Sequence, residues 1–242
     1  MAEVGLCDLP TDVQLHCLRY CDWTSLASAS CCSRLMRSLS KRLNCHPRWQ
    51  SAMSLRDPNI SAAEVVDELL EQLRGPSVPH LALMFVSAEW EPELGALAGA
   101  LVANLPPMTK IVGCAAGAVI GTTAMGQTIE EEEGPAVAVT LVHLPGSTVQ
   151  TFFYDGRCHA PGNRRTQPAH EEWEAIVASA AEDRPPPHFF LIADGHALLE
   201  ECSAKCNSIY PLSSKMGGVA GVAGPNWRED RPQLVLATGK EG

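Results

Sequence analysis

Apolar positions in the first fifty residues recur at helical spacing. Val13, Cys17 and Tyr20 fall on one face of a helix, with Leu15 and Leu18 beside it. Thr11-Asp12-Val13-Gln14 reads as a capping box at its start. Asp22 is placed to cap a second short helix running through Leu26 and Ala29, and Ser33 a third. In the third, Leu35, Leu39 and Leu43 repeat every four residues beside Met36, and Arg34, Arg37, Lys41 and Arg42 take the wet side. Pro47 and Trp49 open a final turn of this helical unit. So small a unit holds little core, so its outer apolar residues suit a partner helix.

From residue 57 onward the pattern changes. Asp57-Pro58-Asn59 is a turn, and Ser61-Ala62-Ala63-Glu64 is a second capping box. It opens a helix with Val65, Val66, Leu69, Leu70 and Leu73 inward. Leu81–Val86 is a short apolar run suited to a buried strand, and 91–105 reads as a helix rich in Ala and Leu. The stretch Lys110–Gly121 follows, read as Lys-Ile-Val-Gly-Cys-Ala-Ala-Gly-Ala-Val-Ile-Gly. Ile111-Val112 predicts a strand ending in a turn at Gly113, with Val119-Ile120 continuing beyond it. Glu130–Glu133 predicts a solvated acidic loop. Strands are expected at 136–144 and 149–154, joined through Pro145-Gly146, and at 188–193 and 234–237. Residues 155–168 read as a polar loop, and 171–181 and 198–206 as helices. A second glycine-rich turn is expected at Gly217–Gly224. Helices and strands mixed in this order define an α+β (or α/β) class behind a small all-helical module.

Charge sharpens the division. Residues 1–56 hold seven Lys/Arg and four Asp/Glu, a net of +3, whereas the remainder holds 11 and 24, a net of −13. The break supports modules spanning 6–56 and 60–238, and it argues against nucleic acid as a partner. Ile111–Ile129 is 19 uncharged residues, near spanning length. Four glycines, three threonines and a glutamine, with no Leu or Phe, argue against a membrane helix. No signal peptide precedes the ten cysteines, so reduced thiols in the cytoplasm or nucleus are expected. No Cys-x2-Cys pair occurs, and Cys17, Cys21, Cys31, Cys32, Cys45, Cys202 and Cys206 read as small buried hydrophobes, so no metal is expected.

Enzyme signatures are lacking. Gly113, Gly117 and Gly121 do not give the dinucleotide fingerprint, and neither does 217–224. No phosphate loop or Gly-x-Ser-x-Gly elbow occurs, and no cofactor is expected. Cys114 beside Gly113 is the one nucleophile to weigh, with His143, His159, His170, His188 and His196 as bases, but no spacing selects among them. No catalytic residue is assigned.

Leu9-Pro10, then Leu15, Leu18, Tyr20, Asp22, Leu26, Cys31-Cys32-Ser33-Arg34 and Trp49, resemble an F-box, with Cys21 and Leu35 departing from the usual leucine and aromatic. The resemblance implies docking on the SKP-type adaptor of a cullin–RING ubiquitin ligase, with Leu9, Pro10, Val13, Leu15, Leu18 and Leu26 at or under the interface. Behind it, a strand ending in Ser87, the 110–121 stretch, Leu144-Pro145-Gly146, Asp194-Gly195 and Gly217-Gly218-Val219-Ala220 resemble a FIST N-terminal domain over about 60–238. That family is regarded as ligand-sensing, with small molecules such as amino acids proposed as ligands. Its members normally continue into a C-terminal FIST domain, which the residues up to Gly242 do not contain, so a shortened product is one expectation.

Two functions follow from these resemblances. One is a non-catalytic substrate receptor of an SCF-type ligase, with an unknown protein substrate and a FIST-like domain that recruits it or senses a ligand. The other is a small-molecule sensor whose helical N-terminus is structural. For a ligand, the glycine turns are expected to converge: Gly113 and Cys114 after one strand, Asp194 after another to meet an amine, and Gly217-Gly218 offering N–H groups to a carboxylate. For Gly113 and its relatives tight packing is the competing explanation, and for Asp194 a capping carboxylate on the 196–206 helix.

Overall fold

The computed structural model describes residues 9–18, 23–73, 78–151, 187–193, 196–220 and 234–238. Three helices come first: α1 (Thr11–Leu18), α2 (Trp23–Cys32) and α3 (Arg34–Asn44). Helix α1 starts at Thr11 itself, and the backbone N–H of Gln14 donates to Pro10 O (3.0 Å). Ser33 caps α3 as expected, its Oγ accepting from the Met36 N–H (3.1 Å). Leu18, Met36 and Leu39 form a small core with Leu15 against it. The cation-bearing positions 34, 37, 41 and 42 face solvent, but so does Leu35. The buried stripe therefore runs through Met36, Leu39 and Ser40, one position round the helix from the expected one.

Three residues after α3 the chain enters a sheet. Residues Arg48–Ser54 form β1, which pairs antiparallel with β6 (Val137–His143) in the register Arg48↔His143 to Ser54↔Val137. The final helical turn expected at Pro47–Trp49 is thus the start of an edge strand. Its stability comes from a partner some ninety positions away, which no local pattern announces. The full sheet has the order β1-β6-β2-β3-β9, with β2 at Leu81–Val86, β3 at Lys110–Ala115 and β9 at Leu234–Thr238. Among the described strands of this sheet only β2 and β3 run parallel, and the other pairings are antiparallel.

Residues alternating along these strands divide the sheet's two faces. Ala52, Ala82, Met84, Val86, Ile111, Ala115, Val137 and Val139 pack with Val65, Val66, Leu69 and Leu73 of α4 (Ala62–Gln72) and its end. The same core takes Leu94, Leu97, Ala98 and Leu101 of α5 (Leu94–Asn104) and Trp90 from the 3-10 segment Ala88–Glu93 before it. Both halves of the Ser61–Glu64 capping box form. Trp90 is fully buried, and its indole N–H donates to Arg56 O (2.9 Å), tying the segment to the chain leading out of β1. Met53, Ala138 and Phe85 pack on the opposite face with Val119, Ile129 and Ala136, so the hairpin β4 (Val119–Thr122)–β5 (Thr128–Glu131) lies there.

Gly113 and Gly121 serve packing, whereas Gly117 lies exposed in the bend between β3 and the next strand. Gly113 is interior to β3, where a Cβ would lie 2.9 Å from Met84 O; in β4, a Cβ on Gly121 would lie 2.6 Å from the Met53 Cβ. The turn expected at Gly113 is replaced by strand through Ala115, because the parallel ladder with β2 continues through Val86↔Ala115. The acidic run is only partly a loop. Glu130 and Glu131 belong to β5, held by pairing with Ile120 and Val119, and the Glu131 carboxylate accepts N–H groups from Glu133 and Gly134 (3.1 and 2.7 Å).

Pro145-Gly146 makes a type II turn, with Gly146 at φ +74° and the Ser147 N–H on Leu144 O (3.2 Å). The strand expected after it is not formed at 149–151, and its remainder lies outside the described residues, as do the loop at 155–168 and the helix at 171–181. A separate two-stranded parallel sheet joins β7 (Phe189–Ala193) to β8 (Lys215–Val219). Phe189 and Leu191 pack on Cys202 and Cys206 of α6 (His196–Ile209). Residues 217–219, expected in a turn, are strand. Gly217 sits at φ +148° where a Cβ would run into the Leu191 backbone, so the site requires glycine. The described fold is α+β.

Candidate functional site

On α1, Gln14 is buried, and its amide donates to Leu9 O (2.6 Å) while its own N–H bonds Pro10 O. Two hydrogen bonds from one residue thus fix the Leu9-Pro10 entry to the helix. In the sequence Gln14 is only the end of a capping box, and its burial has no local signature. Pro10 and Val13 are exposed, Val13 at 39%, and Leu9 and Leu15 are half-buried. Leu18 is buried in the small core, and Leu26 lies in α2. The α1 surface therefore presents Pro10 and Val13 over a support of Leu15 and Leu18.

The cysteines separate by module. Cys17, Cys31, Cys32 and Cys45 are exposed thiols outside any disulfide, contrary to the expectation of small buried hydrophobes, because Leu18, Met36 and Leu39 already fill the little core. Cys21 lies outside the described residues. Cys114, Cys202 and Cys206 are buried, and hydrogen bonding to Cys202, then burial, raises the Cys206 thiol. Among the described residues no group of three or more His, Cys, Asp or Glu could hold a metal ion. None of the described helices is long and apolar enough to cross a membrane, and 111–129 is built of β3, β4 and part of β5.

The expected ligand residues do not share one sheet. Gly113 and Cys114 are buried in β3 of the five-stranded sheet, whereas Gly217 and Gly218 are exposed in β8 of the two-stranded one. Asp194 lies outside the described residues. Burial pushes the Cys114 thiol up to about 11, which leaves it protonated at neutral pH and without the thiolate a nucleophile needs.

A pH dependence follows from this shift. The folded pKa lies above the ordinary thiol value of 9.0, so the neutral thiol's contribution to stability is fully present below about 9 and is lost as pH rises through about 11. Native protein treated with a thiol alkylating agent at neutral pH should label Cys17, Cys31, Cys32 and Cys45 and spare Cys114. Labelling of Cys114 at the rate of the exposed thiols would contradict this.

The described histidine pair holds backbone. His143 Nδ1 donates to Val78 O (2.9 Å), and His80 Nδ1 accepts from the Leu144 N–H (3.0 Å), with the rings 4.9 Å apart. Burial first, and then His143, lower the His80 pKa, which keeps its accepting lone pair available. These rings join the start of β2 to the turn after β6. His159 and His170 lie outside the described residues.

The described residues thus comprise three short helices followed by an α+β region. An F-box domain matches residues 6–48 and a FIST N domain matches residues 80–240. The second match spans more than half of the chain, which belongs to the FIST N domain family. No curated protein matches the chain. Its F-box supports a role as a substrate adaptor of SCF type, binding a SKP-type adaptor in cullin–RING ligases; F-box proteins are generally non-catalytic. The FIST N domain points to sensing or signal transduction.

Proposed function

We propose that the chain is the substrate-receptor subunit of an SCF-type cullin–RING ubiquitin ligase. The F-box docks on the SKP-type adaptor, and the FIST domain recruits a target or senses a small ligand. One observation carries the docking half: Pro10, just before α1, and Val13 on it are exposed, while Leu18, Met36 and Leu39 form a small core. Apolar side chains left out of a core this small are available to a partner. Leu9 and Leu15 border that face, and Leu18 and Leu26 lie in the helices that support it. In this reading the second module begins at β1, because its strand pairs with β6.

The test is co-purification of the full chain with the adaptor, compared with a Leu9→Ala/Pro10→Ala double variant. Wild type is expected to retain the adaptor and the cullin behind it, and the double variant to lose both. Equal recovery by the two proteins would remove the basis of the ligase assignment.

A further inference from the structure

The outer side of α3 carries charge that its surroundings do not balance. Residues 23–56 hold six Lys/Arg and no Asp/Glu, and four of those cations, Arg34, Arg37, Lys41 and Arg42, lie exposed on this one helix. Arg37 Nε donates to Ser30 O (3.3 Å). Among the described residues the charged ends of Arg34, Lys41 and Arg42 have neither an ion pair nor a hydrogen bond, and the ion pair that does form joins Arg56 to Glu68 (3.1 Å). Like charges four apart on a helix repel, as Arg37 and Lys41 do here.

Ser38 stands in the middle of this stripe. Met36, Leu39 and Ser40 turn inward, with Met36 and Leu39 packing on Leu18, and Ser38 is exposed on the opposite side of the helix. Arg34 precedes it by four residues, and Lys41 and Arg42 follow it by three and four. At those spacings helical side chains are neighbours.

The Ser38 hydroxyl is uncommitted. A serine inside a helix often returns its proton to the carbonyl one turn back. Among the described residues Ser38 Oγ has no such partner, whereas Ser33 caps α3, Ser61 caps α4 and Ser87 is bonded on both sides. Ser40, two residues on, is buried and out of an enzyme's reach.

We propose that Ser38 is a phosphorylation site whose phosphate is held by Arg34, Lys41 and Arg42. A phosphoserine brings about −1.5 to −2 charges and three acceptor oxygens, which form strong hydrogen bonds with clustered cations. A protein kinase would transfer the γ-phosphoryl group of a nucleoside triphosphate. The bond from Oγ to phosphorus forms, the bond from phosphorus to the bridging oxygen breaks, and the nucleoside diphosphate and the hydroxyl proton leave. Kinases select substrates by charge pattern, and a hydroxyl among cations suits one with an acidic cleft. Once modified, the stripe pairs with its own phosphate in place of repelling itself. Neither the transfer nor the pairing requires adaptor docking.

Two measurements on the full chain test this. Phosphopeptides of chain recovered from cells under phosphatase inhibition are mapped by mass spectrometry, with phosphate expected on Ser38 and none on Ser40. Chain synthesised with a phosphate already on Ser38 is then melted beside unmodified chain. At low ionic strength the phosphate is expected to raise Tm by about 2–4 °C through its three new pairings. In about 1 M salt, where the Debye length falls to about 3 Å, the difference should disappear.

An Arg34→Gln/Lys41→Gln/Arg42→Gln variant should show no rise on phosphorylation. Should that variant not fold, the salt series decides alone. Absence of phosphate from Ser38, a Tm unmoved or lowered by it, or a rise that survives either the salt or the triple substitution would overturn the assignment.

Discussion

Trp90→Ala is expected to cost about 3–5 kcal/mol, a large share of the roughly 5–15 kcal/mol that holds a typical domain together. Trp90 is fully buried among the residues of α4, α5 and the sheet. Truncation opens a cavity in that core and also strips Arg56 O of its indole donor. Denaturant unfolding should show the midpoint falling, with adaptor binding lost only where the chain is unfolded. Trp90→Phe separates the two causes, since it keeps most of the apolar volume and removes the hydrogen bond. Its cost should be clearly smaller, and equal costs for the two variants would mean that the hydrogen bond, rather than the packing, dominates.

Val13→Asp should act in the opposite way, leaving stability alone and removing the partner. At 39% exposure the side chain contributes little to the three-helix core, and surface changes of this kind fall within about 0.5 kcal/mol. In a complex, however, the new carboxylate would be stripped of water against an apolar surface. A desolvation cost of about 2 kcal/mol lowers affinity roughly 30-fold. Calorimetric titration against the adaptor, with melting followed on the same samples, distinguishes this from unfolding. An unchanged Kd with an unchanged Tm would place the docking face elsewhere on the helices.

Legibility in the sequence followed the range of the interactions concerned. Ser61 and Glu64 lie three apart and cap α4 through each other, so the box was visible. The apolar run Leu81–Val86 gives β2 at its expected bounds because both faces of that strand meet apolar neighbours. Trp49 and Met53 carried no such local mark, since β1 exists by virtue of its ladder with β6. Glu130 and Glu131 likewise look like loop residues alone and become strand only opposite Ile120 and Val119.

Glycine was the ambiguous letter. The same residue that allows a turn also allows two chains to touch, and Met84 and Met53 decide for contact at Gly113 and Gly121. Val13 and Cys17, placed by the helical pattern on one apolar face, are exposed, and the helix buries Gln14 and Leu18 instead. Exposure of the cysteines of the helical unit depended on how few residues fill its core, a tertiary fact.

The most direct measurement is size-exclusion chromatography with mass determination, on the full chain mixed with purified SKP-type adaptor at equal concentrations. A single peak with the mass of a one-to-one complex is expected, and its absence when the Leu9→Ala/Pro10→Ala variant is used. Two separate peaks at the masses of the free proteins, from folded wild-type chain, would contradict it.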